Sequence, residues 1–94
     1  MNRNPLTEEQ LSQALAQLDG WEAQSAGILK TYTFGSYTDG VAFAMKVALL
    51  AEKMNHHPDA LTIGWKKVTV VYVTHDAGGI TELDVQAAQK VDRL

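Results

Sequence analysis

Leu61-Thr62-Ile63-Gly64-Trp65-Lys66-Lys67-Val68-Thr69-Val70-Val71-Tyr72-Val73-Thr74 is the stretch that decides the fold. Leu61, Ile63 and Trp65 alternate with Thr62 and Gly64, and Val68 to Thr74 is a β-branched run that carries Tyr72. Both segments, 61–65 and 68–74, read as strands. Only Lys66 and Lys67 separate them, which predicts a tight antiparallel hairpin. A turn centred on the two lysines pairs Trp65 with Val68 and sets His75 opposite Pro58, beside His57. Opposed Cα atoms in such a ladder lie roughly 4.5–5.5 Å apart. Lys-Lys is poor turn chemistry beside Asn-Gly, but a slip of a residue or two keeps His75 near His56 and His57.

That convergence matters because His56, His57 and His75 are all the histidines the chain has. Imidazole gives or takes a proton near neutral pH, so three of them in one place point to acid–base chemistry. Carboxylates flank them: Glu52 before the pair, Asp76 after His75, and Asp84 just past the Asp76-Ala77-Gly78-Gly79 loop. Glu52 and His56 are four apart and share a face if the helix reaches that far. Pro58 disfavours helical geometry at His57, so the helix ends there, and the negative end of its dipole favours a protonated imidazole. Zinc is the rival reading. Adjacent helical residues point about 100° apart, and neither H-x-H nor H-x-x-x-H occurs, so we expect no metal. With no cysteine, and Thr62 and Thr74 in strand contexts, a nucleophile is not expected either. The bland alternative is that the histidines are ordinary polar residues at element ends.

The rest of the chain supplies a frame. Thr7 and Gln10 form a capping-box pattern, Leu11, Leu15 and Leu18 make the first helix's apolar stripe, and Gly20 is read as its C′ residue. Trp21 to Ala23 reads as extended, Ser25-Ala26-Gly27 as a turn, and 28–34 as a strand with Tyr32 and Phe34 toward the core. Thr38 or Asp39 is read as the cap of a second helix. Between Val41 and Ala51 the only charge is Lys46. That stretch is too short to span a bilayer and too apolar for a helix with one wet face, so a second face is expected to meet another subunit. A third helix begins at Thr81, with Glu82 and Asp84 in its first turn. The expected fold is α+β: a single domain over 1–94, in the order α-β-β-α-β-β-α, with a four-stranded antiparallel sheet and three helices packed on one face.

Net charge is −3 and no run of like charge exceeds two residues, which argues against nucleic-acid binding. The chain has no cysteine, and its N-terminus is polar rather than a signal segment, so a cytoplasmic location is expected. The hydrophobic share is 46%, ordinary for a globular protein.

Glu52-Lys53-x-x-His56-His57-Pro58, then Trp65, then Thr74-His75-Asp76-x-Gly78-Gly79-x-Thr81-x-x-Asp84 closely resembles the pterin-4a-carbinolamine dehydratases. The resemblance covers nearly the whole chain. It implies dehydration of the 4a-carbinolamine of tetrahydropterin to quinonoid dihydropterin, which recycles the pterin cofactor of aromatic amino acid hydroxylases. No metal or organic cofactor is implied. It assigns His56, His57 and His75 to catalysis, with His56 and His75 as acids toward the leaving hydroxyl and His57 positioning the substrate. Glu52, Asn55, Pro58, Thr74 and Asp76 are implied to bind substrate, with Trp65 and Asp84 as structural support. It implies a homodimer or homotetramer through the second helix and the sheet edge. Animal members also bind the dimerisation helices of a homeodomain transcription factor, so a coactivator role for the apolar second helix, without catalysis, is the alternative. Many relatives carry an aromatic residue where this chain has Ala60 and an aspartate where it has Asn55. These departures bear on substrate affinity more than on reaction type.

Overall fold

A computed structural model describes residues 4–94. The elements are α1 (Glu8–Ala16), β1 (Glu22–Gln24), β2 (Gly27–Thr33), α2 (Tyr37–Met54), β3 (Ala60–Gly64), β4 (Lys67–Tyr72), a 3-10 turn His75–Ala77, and α3 (Glu82–Val91). The four strands form one antiparallel sheet in the order β1-β2-β4-β3. This is the expected α-β-β-α-β-β-α order.

The hairpin turns one residue earlier than its sequence suggests. Gly64 pairs with Lys67 and Ile63 with Val68, so the turn is Trp65-Lys66, one residue earlier than the lysine pair, and Lys66 takes a left-handed φ of 57°. The expected and observed registers place the same side chains on each face, because they differ by two residues and an even slip leaves every residue facing the same way. The hydrophobic pattern therefore cannot choose between them; the turn does. Trp65 leaves the predicted strand as a result. It lies exposed and stacks on Tyr37 at 6.1 Å between ring centroids. β4 likewise ends at Tyr72, and Thr74 instead bridges to Gly79.

The core lies between the sheet and the helices. Ile28, Val68, Val70 and Tyr72 from the strands meet Ala44 and Val47 of α2 and Ala87, Ala88 and Val91 of α3. Tyr32 and Phe34 pack against this cluster. On the other face, Thr31 and Thr69 join their hydroxyls across the β2–β4 ladder at 2.8 Å. β2 can begin beside Tyr72 only because Gly27 has no side chain: with φ at 138°, a Cβ there would lie 2.3 Å from the Tyr72 carbonyl oxygen.

Two helix ends differ from expectation. Ser36, not Thr38 or Asp39, caps α2, and its Oγ accepts the Asp39 N–H at 3.1 Å. α1 ends at Ala16, so Gly20 is not its C′ residue; its φ of 82° serves the turn that brings Trp21 back to Leu18. The capping boxes Thr7/Gln10 and Thr81/Asp84 are both present. No residue of α1 is fully buried. Leu6 N–H donates to the Ile80 carbonyl just before the helix, and a cleft of about 530 Å³ separates α1 from α3.

Asp92 ends α3, where a carboxylate faces the wrong end of the helix dipole. Three side chains offset this. Trp21 Nε1 donates to both oxygens at 3.1 Å, Lys30 Nζ donates at 3.0 Å, and the Tyr32 hydroxyl donates as well. Burial alone would push the Asp92 carboxyl up, but the hydrogen bonds from Tyr32, Lys30 and Trp21 outweigh it and hold its pKa below the ordinary carboxylate value. A depressed pKa stabilises the fold above the unfolded value, about 3.9, and that contribution is lost as pH falls through the folded value. Asp92→Ala is expected to cost about 2 kcal/mol at neutral pH. Urea unfolding of both proteins across pH 2–7 should show the difference shrinking below about pH 4.

Candidate active site

α2 ends in a Schellman turn. Asn55 takes a left-handed φ of 53°, its N–H donates to the Glu52 carbonyl, and the His56 N–H reaches back to the Ala51 carbonyl at 3.1 Å. Asparagine is one of the few side chains suited to that conformation, which gives Asn55 a backbone role. Because the helix stops there, Glu52 and His56 do not share a helical face as expected. Glu52 instead meets His57, with Oε1 2.5 Å from Nε2, and both side chains are exposed.

His56 turns inward. Its ring stacks on Tyr72 at 5.3 Å, and its Nε2 lies 2.7 Å from Oδ1 of Asp84, whose side chain is fully buried. The other oxygen of Asp84 accepts from the Thr74 hydroxyl at 2.9 Å and from the Thr81 N–H at 2.8 Å. Thr74 and Thr81 also join hydroxyls at 2.8 Å. One carboxylate thus caps α3, anchors the strand-end residue before His75, and holds His56. Tyr72, beneath the His56 ring, has its hydroxyl pKa pushed up to about 12 by burial and by the nearby Asp84 charge.

His75 opens the 3-10 turn and is largely exposed. Its Nε2 lies 2.5 Å from Oδ1 of Asp59. Asp59 is two residues past His57, and Thr74, which bonds Asp84, immediately precedes His75. The two histidine motifs therefore meet at one end of the sheet. Pro58 lies between the His56-His57 pair and Asp59, half-buried. Asp76 is exposed beside His75 in the 3-10 turn. Thr74 is buried and its hydroxyl is engaged by Asp84 and Thr81, so it supports the site from behind. Trp65, at the far end of β3, is remote in sequence register from these groups. Among the described residues, no three histidine, aspartate or glutamate side chains are grouped so as to hold a metal ion.

A single rule runs through the cluster. Each imidazole presents Nε2 to a carboxylate: His56 to Asp84, His57 to Glu52 and His75 to Asp59. An ionised carboxylate only accepts. The partners therefore place a proton on each Nε2, so that Nδ1 is the ring nitrogen not used by the carboxylate. Asp59 and Tyr72 were not among the residues expected from sequence. An acid two residues past the histidine pair was the available signal for Asp59.

Sequence and structure comparisons agree with this architecture. Residues 4–94 match the profile of the family described as Pterin 4 alpha carbinolamine dehydratase. A Sulfurisphaera tokodaii protein named "Putative pterin-4-alpha-carbinolamine dehydratase" is 45% identical over 89 residues, 95% of each chain. A protein of the same name from Mycolicibacterium smegmatis is 42% identical over 89 residues, covering 95% of this chain and 94% of its own. Among solved structures, a Brucella melitensis protein titled transcriptional coactivator/pterin dehydratase superposes with a TM-score of 0.89 at 35% identity, covering 96% of this chain and 97% of that one. A pterin dehydratase-like protein identified as a RuBisCO assembly factor in the α-carboxysome superposes with a TM-score of 0.66 at 28% identity, covering 79% and 87%. With its whole described length matched and relatives above 40% identity along nearly all of it, the chain belongs to the pterin 4 alpha carbinolamine dehydratase family.

Proposed function

We propose that this chain is a hydro-lyase that converts 4a-hydroxytetrahydropterin to quinonoid dihydropterin and water, recycling the pterin cofactor of aromatic amino acid hydroxylases. The observation that carries the reading is the set of three carboxylate-backed imidazoles at one end of the sheet. In the reaction, a general acid protonates the 4a-hydroxyl. The C4a–O bond then breaks as the adjacent N5 lone pair forms the C=N bond, and the N5 proton leaves to a base. Each proton transfer by a positioned group is worth roughly 10²–10⁴-fold. His56 and His75 act as the acids in their imidazolium form, each giving its Nδ1 proton to the leaving oxygen while Nε2–H stays on its carboxylate, and His57 with Glu52 positions the pterin's polar edge. Asp84 and Thr74 support His56 from behind.

A carbinolamine generated in situ should lose water faster with the purified chain than without it, followed as the rise of quinonoid dihydropterin absorbance. Equal rates overturn the reading.

The chain works as a homodimer or homotetramer in this proposal. Met45 and Leu49, one turn apart on α2, are 59% and 65% exposed, and Ile63 on the edge strand β3 is 44% exposed. Burying such a patch is the favoured outcome for apolar surface. The same exposed residues support the second reading, α2 as a docking helix for a transcription partner. A cytoplasmic setting suits a cysteine-free chain that draws nothing from disulfides. No helix among the described residues is long and apolar enough to cross a membrane.

A further inference from the structure

We infer that Asp59 is a positioning residue: it holds the exposed His75 ring in one orientation and one tautomer, so that Nδ1 is the atom that exchanges a proton with the substrate. The inference rests on the dehydratase reading for its catalytic consequence, though not for the lock itself.

Both partners are pinned through their backbones. Asp59 follows Pro58, and its N–H donates to the Val71 carbonyl at 2.7 Å just before β3 begins. His75 opens a turn closed by the Gly78 N–H on its carbonyl at 3.0 Å, with the Thr74–Gly79 bridge behind it. Between two fixed backbones, the 2.5 Å contact from Asp59 Oδ1 to His75 Nε2 selects one ring orientation. The His75 side chain is 75% exposed. Unlike His56, which is clamped by Tyr72 and Asp84, it has no other side-chain hydrogen-bond partner among the described residues. Exposed pairs of this kind contribute little to folding. Their effect is orientational, as with the carboxylates behind ligand histidines in other sites, where removal costs about 10–100-fold in function.

Asp59→Ala is therefore expected to lower kcat about 10–100-fold with KM nearly unchanged, while Tm moves by no more than about 3 °C. Asp59→Glu should recover part of the loss. Adding Asp59→Ala to His75→Ala should lower kcat no further. Nitrogen spectra of labelled imidazoles give a readout independent of catalysis. His75 in the parent should hold the Nε2–H form when neutral, and Asp59→Ala should show Nδ1–H appearing together with a more disordered ring. Parent-like kcat in Asp59→Ala, with His75→Ala impaired, overturns the inference. Unchanged His75 spectra in Asp59→Ala overturn it too, even if the chain proves inactive on carbinolamines. Inactivity of the parent protein with the spectral change present counts against the dehydratase reading and leaves the lock standing.

Discussion

Asp84→Ala should unfold about 3–5 kcal/mol more easily than the parent and lose most dehydratase activity in the same step. Its side chain is fully buried, so nothing from solvent replaces what it accepts. Removal leaves the Thr81 N–H without its cap and the Thr74 hydroxyl with only Thr81. It also leaves the His56 ring with a buried N–H and no acceptor. Domains are commonly stable by only about 5–15 kcal/mol, so the variant sits near the edge of folding at 37 °C. Asp84→Asn separates volume from charge. It fills the same space, but its amide nitrogen must face donors on one side or the other, and part of the loss should persist. Urea unfolding midpoints and kcat/KM on the same preparations provide the measurement. An Asp84→Ala protein as stable as the parent contradicts the shared-carboxylate account.

Alanine at both His56 and His75 is expected to abolish carbinolamine dehydration, each substitution alone lowering kcat by roughly 10²–10⁴-fold. The two should differ in everything except rate. His75 is exposed and its pair with Asp59 carries little folding energy, so His75→Ala should keep the parent's unfolding midpoint. His56 stacks on Tyr72 and is the partner of a buried carboxylate, so His56→Ala should be destabilised as well as slow. Assembly, measured by sedimentation, should be untouched in both, because neither imidazole is part of the exposed Met45 and Leu49 patch of α2. Near-parent kcat in His75→Ala would remove it from the acid role.

Much of this was legible in the chain, and the gaps have physical causes. A capping box is written in four consecutive residues and an acidic first turn in as few, so the starts of α1 and α3 could be read directly, from Thr7/Gln10 and from Glu82 and Asp84 after Thr81. The hairpin could be read to within its turn, since the hydrophobic pattern is blind to a shift that preserves side-chain parity. The α2 cap was ambiguous because Ser36, Thr38 and Asp39 all offer an oxygen within one turn. The second apolar face of α2 was plain from its composition. The pairing of imidazoles with carboxylates was not, because His56–Asp84 and His75–Asp59 join positions distant in sequence, and no periodicity records which acid arrives. Glu52 was matched to the wrong histidine for a local reason: one left-handed residue, Asn55, swings the chain out of helical phase just before the pair.

The loosely seated first helix has its own consequence. Since α1 contributes no fully buried side chain, it can peel away at far less cost than α2 or α3, exposing Leu11 and Leu15 while the sheet stays whole. The Leu6–Ile80 bond, on the N-terminal side of α1, tethers the released segment five residues past His75. Breathing of the chain's front end and upkeep of its proton-handling end are thus separate affairs.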